Sequence, residues 1–386
     1  MNSKHYSHFL KNAKEQNRLY FTAHSHQFWP DVTRDAVIEC WEDASKFVDD
    51  KWKKIFSEVI QEAQNWVKKH LSLQDSNQVV FGQNTHELVY RLLSGLNWNR
   101  PLRVLTTDSE FHSFNRQAKR LSEVFSISFD CIPQEPFETL EKRLLNAIEQ
   151  HSYDACYLSH VFYNSGKILP WEFVAQHFTK RFPNAPFILD GYHSFFAIPI
   201  DLSDLGNLIY FTAGGYKYAQ SGEGVCFLTV PQVSTLNPTQ TGWMAGINEL
   251  EGAPQSQVSF SKDASRFLGS TFDPTSLYRF RSVMKLFHEN QWTIEKIDHY
   301  IRSLQKEFIT LLPQSGTFSR ETLLSDQLSK IGHFFSFYCS DPKKTDVWLR
   351  SKGIIGDYRG EIFRIGFAPY HTDKDIQEFF DRLILH

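Results

Sequence analysis

Short apolar runs punctuate the chain at close intervals: "QVVFG" from Gln78, "RVLTTD" from Arg103, "SISFDCIP" from Ser126, "YDACYLSH" from Tyr153, "PFILD" from Pro186, "NLIYFTA" from Asn207 and "GVCFLTV" from Gly224. Between most of the earlier runs, apolar residues recur at helical spacing, as over residues 85–96 and 137–150. A helical stretch over residues 34–71 precedes them. Strand and helix in alternation predict an α/β domain on a mainly parallel, seven-stranded sheet. Beyond Pro254 the pattern changes. One long helical segment over residues 275–312 leads into "IGHFFSFYCS", a helix near 345–352, "EIFRIGFAPYHT" and a tail of helical spacing over 373–385. This predicts a smaller α+β C-terminal domain, with residues 17–280 forming the large domain and residues 1–16 and 281–386 the small one.

Composition narrows the function classes. A chain of 386 residues with 41% hydrophobic and 22% charged residues is long enough for a large core, and its 34 Phe and 9 Trp make that core aromatic. A formal charge of −3 gives no basic footprint for a phosphate backbone, so nucleic acid is not an expected partner. No run approaches the roughly 20 apolar residues of a membrane span. The polar start "MNSKHYSHFLKNAKEQNR" and five scattered cysteines without a CxxC pair predict a cytoplasmic protein. "HSH" at His24–His26 is the densest histidine group, but no metal-ligand spacing accompanies it, and no metal is expected.

Candidate chemistry collects where strands open into loops, the place at which parallel sheets bind ligands. "TAGGYKYAQSGEG" sets Lys217 between Tyr216 and Tyr218 and flanks the trio with glycines, a pattern used for tight turns and for close approach to a ligand. One strand earlier, "PFILD" ends in Asp190, with "GYHS" after it. A lysine and a carboxylate at adjacent strand ends are what pyridoxal 5'-phosphate (PLP) requires: the amine condenses with the aldehyde and the carboxylate keeps the pyridine nitrogen protonated. Asn84, Thr85 and His86 open a helix whose free N–H groups favour a phosphate, and Phe111 in "EFHSF" offers a flat face for the ring.

These segments resemble fold type I PLP enzymes of the class V aminotransferase group, and within it the kynureninases. "LDGYHS" and "GGYKYAQSGEGVCFL" look like that group's cofactor-Asp and Schiff-base-Lys motifs, and Asp190, His193 and the Tyr-Lys-Tyr of residues 216–218 match the kynureninase form. The likeness runs from about residue 20 to residue 383. It implies that Asn84, Thr85 and Tyr216 hold the phosphate, Phe111 stacks on the ring and Ser165 lies near the ring hydroxyl. It also implies a homodimer in which Trp243 and Thr271 reach the phosphate of the partner's cofactor. Arg364 in "IFRIGFAPY" matches the arginine that grips a substrate α-carboxylate, Arg359 reads as structural, and His24 and Ser25 fall in the region of an amino-terminal substrate loop.

The match to kynureninases departs at "FHSF", which puts Phe114 where the family has Asp, and at "AHSHQFWP", which replaces a "GNSLG"-like element. Cysteine desulfurases share the scaffold but need a nucleophilic Cys before the carboxylate-binding arginine, and "GIIGDYRGEIFRIG" contains none. The leading expectation is a kynureninase-like hydrolase that cleaves the Cβ–Cγ bond of an amino acid, with Lys217 moving the Cα proton and Tyr216 as proton donor. The alternative is a class V aminotransferase or carbon–sulfur β-lyase on another small amino acid, and a third reading is a non-catalytic binding protein on a decayed PLP fold.

Overall fold

The computed structural model describes residues 3–249 and 257–384. After an amino-terminal helix, Ser7–Glu15, the chain forms β1 (Leu19–Tyr20) and then the strands of the central sheet: β2 (Val79–Gly82), β3 (Leu102–Thr107), β4 (Ile127–Ile132), β5 (Ala155–Ser159), β6 (Phe187–Asp190), β7 (Tyr210–Gly214) and β8 (Cys226–Thr229). Their order is β2-β8-β7-β6-β5-β3-β4. From β4 through β7 the pairings are parallel, and only β8 runs antiparallel to both its neighbours. The seven expected runs are the seven strands, and β5 to β8 are buried at every position, as strands covered on both faces must be.

The period of two divides the core. Phe187, Leu189 and Phe211 face one apolar cluster, while Ile188 and Tyr210 face another. The first cluster continues through the helix Thr275–Glu289 to Phe308, whose ring meets Phe335, Phe367, Phe379 and Phe380 at 4.9–5.7 Å between centroids. That continuous body accounts for the phenylalanine content.

The helical stretch expected over residues 34–71 is broken. Val32–Phe47 ends at Val48, which has φ +51°, and a short turn and a π-helical turn at Ile55–Val59 intervene before Ile60–Leu71. The segment expected as one helix over 275–312 is two, Thr275–Glu289 and Ile294–Leu311. Gln291 has φ +54°, the Asn290 side chain caps the Leu286 carbonyl, and Thr293 accepts from the Lys296 N–H to start the second helix. Apolar periodicity runs through both breaks because the flanking helices bury the same faces.

The C-terminal part carries a second, antiparallel sheet of β9 (Phe334–Tyr338), β11 (Asp357–Arg359) and β12 (Ile362–Gly366) in the order β11-β12-β9, and the short β10 (Ile354–Ile355) lies outside it. Strand β1 pairs in parallel with β10, and Thr22 bridges Gly366. Residues 19–22 therefore hydrogen-bond to the C-terminal part of the chain, along β10 and at the end of β12.

In the central sheet the register sets Ser159 opposite Asp190 and Asp190 opposite Thr212, so these three residues lie level near the carboxyl ends of β5, β6 and β7. The chain leaves β6 at Gly191, where a Cβ would lie 2.0 Å from the Phe211 ring. Gly191→Ala is expected to cost about 1–3 kcal/mol through overpacking, measured as a lower urea midpoint; an unchanged midpoint would mean that the Phe211 ring yields freely.

Candidate functional site

A cavity of about 220 Å³ opens at these strand ends. Lys217, three residues past β7, and Asp190, the last residue of β6, both border it. Asn84, Thr85 and His86 close one end, where the helix Thr85–Leu93 begins. Asn84 caps that helix by accepting the Glu87 N–H at 2.8 Å, the Thr85 N–H is engaged by the Cys226 sulfur, and the helix N-terminus borders the cavity as a candidate anion site. Phe111, 39% exposed, presents its ring at the side, 5.7 Å from the Lys217 Nζ.

The amine is the electrostatic centre. Lys217 is buried, and burial first and the nearby Arg364 charge second bring its pKa down to about 7. Its Nζ shares a 2.5 Å hydrogen bond with the His193 Nε2. Burial, then the charges of Lys217 and Arg364, hold the His193 imidazole neutral, and its Nδ1 is buried without a partner among the described residues. Burial also raises the pKa of Asp190, against hydrogen bonds from the Tyr157 hydroxyl at 2.6 Å and the Tyr192 N–H at 2.9 Å. A near-neutral amine, a buried carboxylate, an orphaned imidazole nitrogen and a helix N-terminus form a donor set that fits PLP.

The glycines around Lys217 act through packing against side chains. A Cβ on Gly214 would lie 2.2 Å from the Tyr192 hydroxyl, and one on Gly222, at φ +70°, would lie 2.6 Å from the Trp29 ring. The loop after Lys217 is held from outside the sheet, by the Tyr6 hydroxyl donating to Gln220 Oε1 at 2.5 Å and Arg279 Nε to the Ser221 carbonyl at 2.8 Å.

Tyr216 borders the cavity; burial pushes its hydroxyl up to about 12, and its ring stacks on His26 at 5.2 Å. The amino-terminal segment thus meets the cavity wall through the His26 ring on Tyr216; the Ser25 hydroxyl lies 3.2 Å from the His26 ring, and His24 is fully buried. Ser165 does not border the cavity: its hydroxyl accepts from Gln134 at 2.7 Å, because the turn after Val161 carries it away from the strand ends. Trp243 and Thr271 pair with each other at 3.3 Å on the exposed surface, away from the cavity of their own chain. Arg364 lies behind the lining, where Nε and Nη2 donate to Asp357 at 2.9 and 2.6 Å and Nη1 donates to the Tyr163 carbonyl at 2.6 Å.

Several residues at the site carry no motif of their own. Tyr192 lies within "LDGYHS" and places its ring 5.0 Å from the Lys217 amine. Cys226 borders the cavity, with burial pushing its thiol up to about 12 and the Tyr192 hydroxyl 3.3 Å away. Glu110, fully buried beside Phe111, accepts from Thr107 and Ser159 at 2.7 and 2.5 Å, and burial raises its pKa to about 8. Phe114, at the position where a kynureninase has Asp, is buried with its ring stacked 3.7 Å from Tyr157.

The family model for class V aminotransferases matches residues 49–379. No curated protein matches the sequence. The fold is similar to that of a C-DES mutant with glycine covalently linked to its PLP cofactor, with a TM-score of 0.85 and 18% identity over 99% of both chains. It is also similar to the cystine C–S lyase C-DES in complex with its reaction product cysteine persulfide, at a TM-score of 0.79 and 17% identity over 95% of this chain and 97% of that one. An apo cysteine desulfurase from Thermococcus onnurineus NA1 gives a TM-score of 0.79 and 15% identity over 96% of each chain. A family match over most of the length, on a fold type I sheet with a buried lysine at its strand ends, leads to one conclusion: the chain belongs to the class V aminotransferase family and is a PLP-dependent enzyme.

Proposed function

We propose that the enzyme is a carbon–sulfur β-lyase that acts on an amino acid bearing a sulfur leaving group at Cβ, such as L-cystine. The observation that carries this reading is the make-up of the cavity: the amine and the carboxylate are in place, while its cysteine, Cys226, is a buried and protonated thiol. A desulfurase needs a reactive thiolate to take up sulfur, and Cys339, the other cysteine near the arginine in sequence, is engaged by Thr345 at 3.2 Å. A kynureninase reaction is less well supported, since Phe114 is a core residue stacked on Tyr157 and offers no polar contact. One of the fold neighbours is named a cystine C–S lyase, which is consistent with this reading.

In this reading the N–H groups at Asn84–His86 hold the cofactor phosphate, Phe111 covers one face of the ring, and Asp190 keeps the pyridine nitrogen protonated. Bound there, PLP supplies an electron sink for the Cα carbanion. Lys217, with a pKa near 7, is poised to take the Cα proton, and His193 holds its amine in line. Tyr216, which burial keeps protonated, is placed to donate to the departing sulfur. Arg364 takes the substrate α-carboxylate. The exposed Trp243–Thr271 pair is assigned to the cofactor phosphate of a second copy, which makes the active unit a homodimer.

The test is the visible spectrum of the protein with PLP, wild type beside Lys217→Ala, followed by product analysis. The wild type is expected to give a band that the variant lacks and to form pyruvate from L-cystine, and the variant's turnover is expected to fall by at least about 10²-fold. Anthranilate from L-kynurenine would return the assignment to hydrolysis, and a new keto acid with the sulfur retained would mean transamination. No band in the wild type would sink the reading.

Stability of the cofactor-free protein gives an independent check on the amine. The folded pKa of Lys217 is lowered from 10.5 to about 7. Between those values the unfolded chain holds a proton there that the folded chain does not, so this site makes stability rise with pH across that window, and its cost is complete below about pH 7. Lys217→Met is expected to be the more stable protein in urea unfolding near pH 7, with the difference closing as the pH approaches 10; a constant difference would place the amine in ordinary solvent.

A further inference from the structure

Arg364 is already engaged by a carboxylate of its own chain, and the way it is held carries an inference that rests on its assignment to the substrate α-carboxylate. Strands β11 and β12 set Asp357 directly opposite Arg364. The side fork, Nε–H and one Nη2–H, donates to the two oxygens of Asp357 at 2.9 and 2.6 Å, and one Nη1–H donates to the Tyr163 carbonyl at 2.6 Å. A guanidinium has five N–H groups, so one remains on each Nη. Tyr163 borders the cavity, which sets this arginine directly behind its wall.

Asp357 is fixed in turn. His24 Nε2 lies 2.7 Å from Asp357 Oδ1, and the imidazole is fully buried and stacked 4.9 Å from the Phe334 ring. Gly366 makes room for it, because a Cβ there would lie 2.3 Å from His24 Nδ1. Burial keeps His24 neutral, with a pKa lowered to about 4, so it donates its Nε2–H. The pairing with His24 and Arg364 holds the Asp357 carboxyl far below the usual carboxylate range. Three donors on one carboxylate, two of them from a facing strand, leave it no freedom to swing away.

The geometry assigns Asp357 and His24 as positioning residues for substrate recognition: they lock the plane of the Arg364 guanidinium so that its two remaining N–H groups meet the α-carboxylate of an amino acid. The carboxylate of Asp357 stays in place when substrate binds; it orients the arginine and does not vacate the site.

The test uses the holoenzyme and two amines, L-alanine, which has an α-carboxylate, and ethylamine, which has none, each titrated against the visible band of the bound cofactor. Asp357→Asn is expected to weaken L-alanine by at least about tenfold while ethylamine stays within about twofold, since only the carboxylate contact is misplaced. His24→Asn is expected to shift L-alanine in the same direction by about threefold. Asp357→Asn binding L-alanine as well as the wild type does, or more tightly, would overturn the inference, the second because it would make Asp357 a stand-in that substrate displaces. Equal losses for both amines would overturn it as well, reducing the pair to a structural role. If Asp357→Asn does not fold, His24→Asn carries the same comparison. Arg364→Lys separates this inference from its premise: a selective loss of L-alanine in that variant beside a silent Asp357→Asn overturns the positioning role alone, whereas an Arg364→Lys that binds L-alanine normally removes the carboxylate assignment of Arg364 itself.

Discussion

The burial of one amine organises this molecule. An ammonium taken out of water is costly unless paired, and among the described residues the Lys217 amine has no carboxylate in direct contact; its near neighbour is the uncharged His193 ring, with Asp190 and Asp357 acting through space. The protein accommodates it by shifting its protonation, which turns a structural cost into a nucleophile available near neutral pH. Everything around the amine serves to keep it there: the carboxyl ends of β5, β6 and β7, the braces from Tyr6 and Arg279, and glycines that let Tyr192 and Trp29 come close.

The site is assembled from three parts of the chain that are distant in sequence. The central sheet contributes the lysine, the aspartate and the helix N-terminus. The small antiparallel sheet contributes Arg364 and Asp357. The amino-terminal segment joins them, since β1 pairs with β10 while His24 and His26 reach Asp357 and Tyr216. Because His24 is buried and uncharged, it acts through the hydrogen bond it donates.

Much of this was legible in the residues. The seven apolar runs are the seven strands, β5 to β8 buried on both faces and β4 keeping exposed positions at Ser128 and Cys131, and Asp190, Lys217 and the Asn84–His86 turn were found because strand ends are where such a sheet places its chemistry. The helix breaks at Val48 and Gln291 were not legible: neither residue type signals a left-handed backbone, and the apolar period continues across both. Ser165 was placed by analogy of order along the chain, but the direction of a loop side chain is set by contacts such as that with Gln134, which lies 31 positions away. Asp357 carries no signal of its own in "GIIGDYRGEIFRIG", because its meaning depends on the cross-strand register with Arg364. Cys226 and Glu110 escaped for the same reason, since burial is what gives each its character.

The phenylalanine body that joins the two sheets sets how the chain responds to denaturant. Phe187 and Phe211, through Met284, join Phe308 and Phe379 in one apolar cluster that runs from the central sheet to the C-terminal part. Partial melting would lay aromatic surface open on both sides of the break, so intermediate states are penalised and loss of structure is concentrated in a single concerted step. Arg364 and Lys217 therefore persist or disappear together.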